Sequence, residues 1–206
     1  MKILQSSLLV TFAFMPTMAF AESNASNVIN SLGGAIDGLF VVIGVVLLMT
    51  GIYSLYKRSI SPQQNPLSVS IFTLLSAVML ISSTSFFHIV GGTVGLQGNT
   101  LTDRGAFSYD SSAYQQIDNY ENSWLGRYIP EQTQEMVMGF VWLAGLVGFL
   151  RGILLIKDLG SNGQNNQGGG PGKVAAHIIG GYITMNIMEF SCALGQTFGT
   201  SGLCTV

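Results

Sequence analysis

Apolar residues along this chain come in long runs rather than in stripes. Residues 39–56 (LFVVIGVVLLMTGIYSLY) carry no charge, and the run begins nearer Ala35. Residues 67–90 are also uncharged, with Ser and Thr that can bond back to carbonyls of their own helix. Residues 136–156 hold one charge, Arg151, and residues 174–194 are interrupted by His177 and Glu189. A helix needs about 20 apolar residues to cross a bilayer core. None of the first three runs has the polar stripe of a soluble amphipathic helix, and helices apolar all round belong in lipid. The pattern predicts an all-α membrane protein with four transmembrane helices, about 35–56, 67–90, 136–156 and 174–194, arranged as two hairpins. Short connections, 57–66 and 157–173, and a long loop, 91–135, join them.

Composition agrees with that reading. Of 206 residues, 48% are hydrophobic and only 9% charged, whereas charged residues make up about a quarter of a soluble domain. The N-terminus has the form of a cleavable signal peptide, residues 1–21. Lys2 precedes an apolar stretch, 8–20, broken only by Thr11, Pro16 and Thr17; Ala19-Phe20-Ala21 then offers a small-x-small cleavage site before Glu22-Ser23-Asn24. Cleavage is expected after Ala21, leaving a four-span domain over 22–206; the alternative is an uncleaved anchor.

Charge placement orients the spans. Lys57 and Arg58 lie in one short connection, and Lys157 and Lys173 bracket the other. The long loop has Arg104 and Arg127 against Asp103, Asp110, Asp118, Glu121, Glu131 and Glu135. Short basic loops stay cytoplasmic, and long loops translocate largely regardless of charge. The mature N-terminus, the long loop and the C-terminus are therefore expected on the periplasmic side of a bacterial inner membrane, the side to which a signal peptide delivers the N-terminus.

The two hairpins resemble each other. MTGIYSLYK (49–57) and LRGILLIK (150–157) close the first and third runs, and each is followed by a proline-containing polar connection, with Pro62 and Pro66 in one and Pro171 in the other. This suggests a parallel repeat, against the bland alternative that membrane hairpins share a composition. Ala144, Gly148 and Gly152 are spaced by four, as are Gly34 and Gly38. Such spacing leaves a shallow face where another helix can approach, within the chain or between copies.

Within the long loop, Tyr114, Ile117, Tyr120, Trp124 and Tyr128 recur at intervals of three and four, with Ala113 and Leu125 beside them. This predicts an exported amphipathic helix capped by Asp110, Ser111 or Ser112. Its aromatic face suits the membrane surface or a partner protein, and a partly ordered loop is the alternative. Cys192 and Cys204, the only cysteines, fall on the exported side, where an oxidising compartment permits a disulfide. Without nearby histidines they are no zinc site.

Arg151 lies about 9 Å along the helix from Lys157, close enough to snorkel, and His177 about 6 Å from Lys173. Glu189 and Asp37 fall toward the opposite interface. A proton path would want carboxylates near the midplane. No Ser/His/Asp set, Cys/His pair or carboxylate cluster suggests catalysis, so no enzyme activity, cofactor or metal is expected. The glycine-rich NNQGGGPGKV (165–174) is not a nucleotide loop: Gln167 stands where the first glycine of G-x-x-x-x-G-K-[ST] is required, and Val174 replaces the magnesium-binding hydroxyl. It reads as a flexible cytoplasmic connection.

Lys173-Val174-Ala175-Ala176-His177-Ile178-Ile179-Gly180-Gly181, followed by Asn186-Ile187, resembles a segment of small inner-membrane proteins of type IVB (Dot/Icm-type) secretion and related conjugation systems, in particular the IcmC/DotE group. The likeness covers about fifteen residues plus the multi-span plan. The signal peptide and the long acidic loop have no counterpart in that pattern. The resemblance implies a non-enzymatic structural or assembly subunit of an envelope machine, whose ATPases are separate subunits. Lys173, His177, Gly180, Gly181 and Asn186 would then be its family-like motif. Expected partners are membrane lipid, other secretion-system membrane proteins and further copies of the chain, with no nucleic acid or nucleotide bound directly. Gly180 and Gly181 read as packing residues just inside the membrane. Two alternatives stand beside this: a small transporter or channel-forming oligomer, and a pilin-like membrane precursor.

Overall fold

The computed structural model describes residues 25–61, 66–95, 107, 109, 131–160 and 170–199. The stretch expected to be a signal peptide (1–21), the 111–128 segment and Cys204 lie outside the described residues, as does the side chain of Cys192. Among the described residues every element is a helix: α1 (Ala25–Ile60), α2 (Leu67–Ile81), α3 (Ser83–Val94), α4 (Glu131–Leu159), α5 (Pro171–Met185) and α6 (Ile187–Phe198). Two stretches, Asn27–Ile60 and Met136–Leu159, are long and apolar enough to cross a membrane, and there are four if each bent helix pair counts as one span. These helices mark the chain as membrane-associated.

α1 begins well before the predicted span. At 36 residues it is about 54 Å long, more than a hydrocarbon core of about 30 Å requires. Its first turns are still anchored to the fold, with Ile29 buried and Asn30 hydrogen-bonded to residue 109.

The second and fourth runs depart from the straight helices expected over 67–90 and 174–194. α2 meets α3 at 94°, and α5 meets α6 at 93°. Neither corner is a glycine or a proline. Ser82 (φ −109°, ψ 41°) and Asn186 (φ −111°, ψ 37°) leave helical geometry in nearly the same way. At each, the backbone N–H still donates to the carbonyl four residues back, and the side chain donates to that same carbonyl. Ser82 N and Oγ lie 3.0 and 2.7 Å from Val78 O; Asn186 N and Nδ2 lie 3.1 and 3.0 Å from Tyr182 O. The next helix restarts when Phe86 and Phe190 donate to the carbonyls of Ser82 and Asn186. Thr73 and Thr184 make the same side-chain bond inside unbent helices, so the bond accompanies each corner and does not by itself cause it.

The two halves correspond closely. Leu67 and Pro171 start, Ser82 and Asn186 bend, and Gly95 and Gly199 end equivalent elements at one constant offset. Both terminal glycines are left-handed (φ 75° and 68°), a conformation that costs other residues a Cβ clash. GGTVG (91–95) and GQTFG (195–199) are the matching sequence. In the long helices, Gly44 and Gly145, and Gly51 and Gly152, match at a slightly smaller offset.

α4 is the centre of the packing, lying along α5, α2 and α1, while α1 lies along α2. Leu146, Phe149, Leu150 and Ile153 of α4 are fully buried. The difference between the two long helices is large: 56% of the apolar window of α4 is buried, against 11% for α1.

Candidate functional site

Glycine lets the helix pairs touch backbone to backbone. A Cβ on Gly145 would stand 2.8 Å from Met185 N, and one on Gly152 2.9 Å from Ile178 N. On the facing helix, a Cβ on Gly181 would collide with Phe149 N and lie 2.7 Å from its Cα. Gly148 sits over the Cα of Gly181. The contact therefore runs along Gly145, Gly148 and Gly152. Ala144 is exposed, because one residue turns an α-helix by about 100°. Gly34, Gly38 and Gly180 are also exposed, with open space where a Cβ would be. In the first half, Gly44 receives Ala77, Leu80 and Ile81, and Gly51 receives Leu74. Ile178 and Met185 are the equivalents of Leu74 and Ile81, so both halves close on the same register.

Hydroxyls tie the helices together. Some of the Ser and Thr residues in 67–90 bond back within their helix, as Thr73 does to Val69 O and Thr93 to Ile89 O. Others reach across. Ser70 shares a 2.7 Å hydrogen bond with Ser54 of α1; Ser76 donates to Ile153 O at 2.8 Å and Ser68 to Gly160 O at 3.0 Å. Ser83, just past the corner, donates to Asp37 Oδ1 at 2.9 Å. In an apolar surround these bonds satisfy groups that would otherwise be costly to bury.

Beyond the corners lies an aromatic cluster. The ring of Phe87 is 4.6 Å from that of Tyr182, 5.3 Å from Phe149 and 5.4 Å from Phe107, the last two edge-on. Tyr109 meets Trp142 at 6.0 Å. All of these are buried, and Trp142 Nε1 has no hydrogen-bond partner among the described residues. Rings from α3, α4, α5 and the 107–109 segment thus converge where α2 turns into α3. Tyr182 of this cluster also supplies the carbonyl that Asn186 bonds at the second corner, and Ser83, bonded to Asp37, adjoins the first. Nothing in the sequence pattern brought these residues together, because they are distant in sequence and individually ordinary.

The other sequence-predicted residues are dispersed. Lys173 is exposed in the first turn of α5, and His177 Nδ1 lies 2.8 Å from Lys173 O, one turn back on the same helix. Gly181 is buried in the α4 contact and Asn186 forms the second corner, so the motif 173–186 spans α5 from end to corner. Tyr114, Ile117, Tyr120, Trp124, Tyr128 and the Cys192–Cys204 pairing fall outside what the structure describes. Among the described residues no three His, Cys, Asp or Glu side chains gather as metal ligands. No family model matches the chain, and neither curated proteins nor solved structures give a significant match.

Proposed function

We propose that this chain is a structural or assembly subunit of a bacterial envelope machine of the type IVB secretion or conjugation class, set in the inner membrane as two helical hairpins. The observation that carries the reading is the use of its buried chemistry: glycines and hydroxyls are engaged in helix–helix contacts, and a long apolar face of α1 is left uncovered. The 173–187 likeness supports the family assignment. In the same reading Lys57, Arg58, Lys157 and Lys173 face the cytoplasm and the aromatic cluster faces the periplasm. Contacts that join the ends of α1 and α4 to the starts of α2 and α5 gather those four basic residues at one end of the bundle. Reporter fusions should read periplasmic after Tyr120 and cytoplasmic after Gly163; a cytoplasmic signal at Tyr120 would reverse this orientation.

Purification in mild detergent from native membranes tests the role. Co-elution in fixed ratio with several envelope proteins encoded beside it is the expected result; elution alone counts against it. A second reading has an observation of its own. Interrupted helices at corresponding positions of two repeats are where secondary transporters hold their substrates, and Ser82 and Asn186 are such a pair. Ion flux through liposomes containing only this protein would favour that reading over the first.

A further inference from the structure

The correspondence between the halves says what the uncovered face of α1 is shaped to meet. Within one chain, the first half is joined to the second largely by α2 lying on α4. That joint has two sides. On α4 it includes the fully buried Ile153, whose carbonyl accepts from Ser76, on a helix stripe shared with the fully buried Leu146 and Leu150. On α2 it is the row containing Ser68 and Ser76, whose hydroxyls bond Gly160 O and Ile153 O. Both sides recur at the equivalent positions, and there both are bare. The counterparts of Leu146, Leu150 and Ile153 are Val45, Met49 and Ile52 of α1, which are 42%, 65% and 54% exposed. The counterpart of the fully buried Ser76 is Gly180 of α5, which is exposed, and the counterpart of Ser68, itself exposed, is Gly172; nothing lies within 4 Å of where a Cβ would be on either glycine. Ala176, one turn from each, is exposed as well.

We propose that copies of this chain associate head to tail, with Val45, Met49 and Ile52 of α1 of one copy seated on the Gly172, Ala176 and Gly180 row of α5 of the next. The new contact repeats between chains the joint that already exists inside one. Its two surfaces are complementary in size, large side chains facing a shallow row that admits close approach. Lipid alone could cover either surface. The second copy is favoured because the same pair of surfaces is already mated once within the chain, and because each copy has one of each left over. Such a contact is heterologous, so it continues from copy to copy until it closes as a ring or runs on as a filament. The inference does not depend on which functional reading holds, since a scaffold and a channel-forming oligomer would both use it.

The test uses the full chain in native membranes, with Ile52→benzoylphenylalanine as a photo-cross-linker. Illumination is expected to give a cross-linked dimer in which a peptide of α1 is joined to a peptide of α5. Adducts to lipid alone, or α1 joined to α1, would overturn the proposal. Adding Gly180→Leu to the cross-linking chain should lower the dimer yield about tenfold, as a loss of about 1.4 kcal/mol of association would. Gly92→Leu, at an exposed position of α3 with equally open space, should leave the yield unchanged. Equal yields from the two variants would refute the assignment of the surface even if dimers form. Recovery of both variants as monodisperse helical protein excludes misfolding as the cause of any difference.

Discussion

Gly181→Leu is expected to disrupt the pairing of α4 with α5, whereas Gly180→Leu, one residue earlier, leaves the monomer folded. In an ordinary helix interior, glycine is about 1 kcal/mol worse than alanine, so adding a side chain should help. At Gly181 the sign reverses. The first added carbon already meets Phe149 N and Cα, and lies 2.8 Å from Gly145 O. All three are backbone atoms, so no rotamer change relieves the overlap and the helices must separate. Overpacking a core costs about 1–3 kcal/mol when side chains can yield, and more when they cannot. A loss of about 3 kcal/mol or more is therefore expected for Gly181→Leu, and a smaller loss for Gly181→Ala. Gly180→Leu should stay within about 0.5 kcal/mol, as at other open surface sites. Thermal unfolding in a detergent that holds the chain monomeric makes the comparison. Equal midpoints for the two leucine variants would show that α4 and α5 do not meet as described.

What could be read from the sequence follows from what leaves a local trace. Four apolar runs were legible because their lengths alone point to a membrane, and α1 and α4 do run through two of them. The corners at Ser82 and Asn186 were not. Serine and asparagine occur in straight helices too, and only the geometry shows their side chains taking the carbonyls of Val78 and Tyr182. The likeness of 49–57 to 150–157 was visible because Gly51 and Gly152 must admit Leu74 and Ile178 at equivalent places. Spacing found the right helix and two of its contact glycines, Gly148 and Gly152, but took Ala144 where Gly145 completes the row, since both continue a row of small residues. The unequal burial of α1 and α4 left no trace at all. Both are apolar on every side, so composition cannot say which of them another helix covers. The aromatic cluster was equally silent, because Phe87, Phe107, Phe149 and Tyr182 become neighbours only through the fold.

The contact least visible in the sequence is also one of the most sensitive. Asn30→Ala is expected to release the 107–109 segment from the bundle. Asn30 treats the backbone of Tyr109 as a strand would: its Nδ2 donates to Tyr109 O at 3.1 Å, and Tyr109 N donates to its Oδ1 at 2.6 Å. Tyr109 and Phe107 are both buried, the first against Trp142 and the second against Phe87 and Phe149. The two hydrogen bonds therefore hold in place a segment whose rings fill the cluster beyond the corner. Alanine removes both bonds together. A typical net bond is worth about 1 kcal/mol, and a buried group that loses its partner costs about 1–3 kcal/mol, so local stability should fall by about 2–4 kcal/mol. Hydrogen exchange at the Tyr109 amide should then accelerate about 30-fold or more, since each 1.4 kcal/mol is a factor of ten. Asn30→Asp retains an acceptor for Tyr109 N but no donor for its carbonyl, so its effect should fall between those of the parent and alanine. Ser31→Ala is the control, because that hydroxyl bonds only back to Asn27 O in its own helix. Unchanged exchange at Tyr109 in Asn30→Ala would mean that ring packing alone secures the segment, and that the two bonds are a consequence of its position and not a cause.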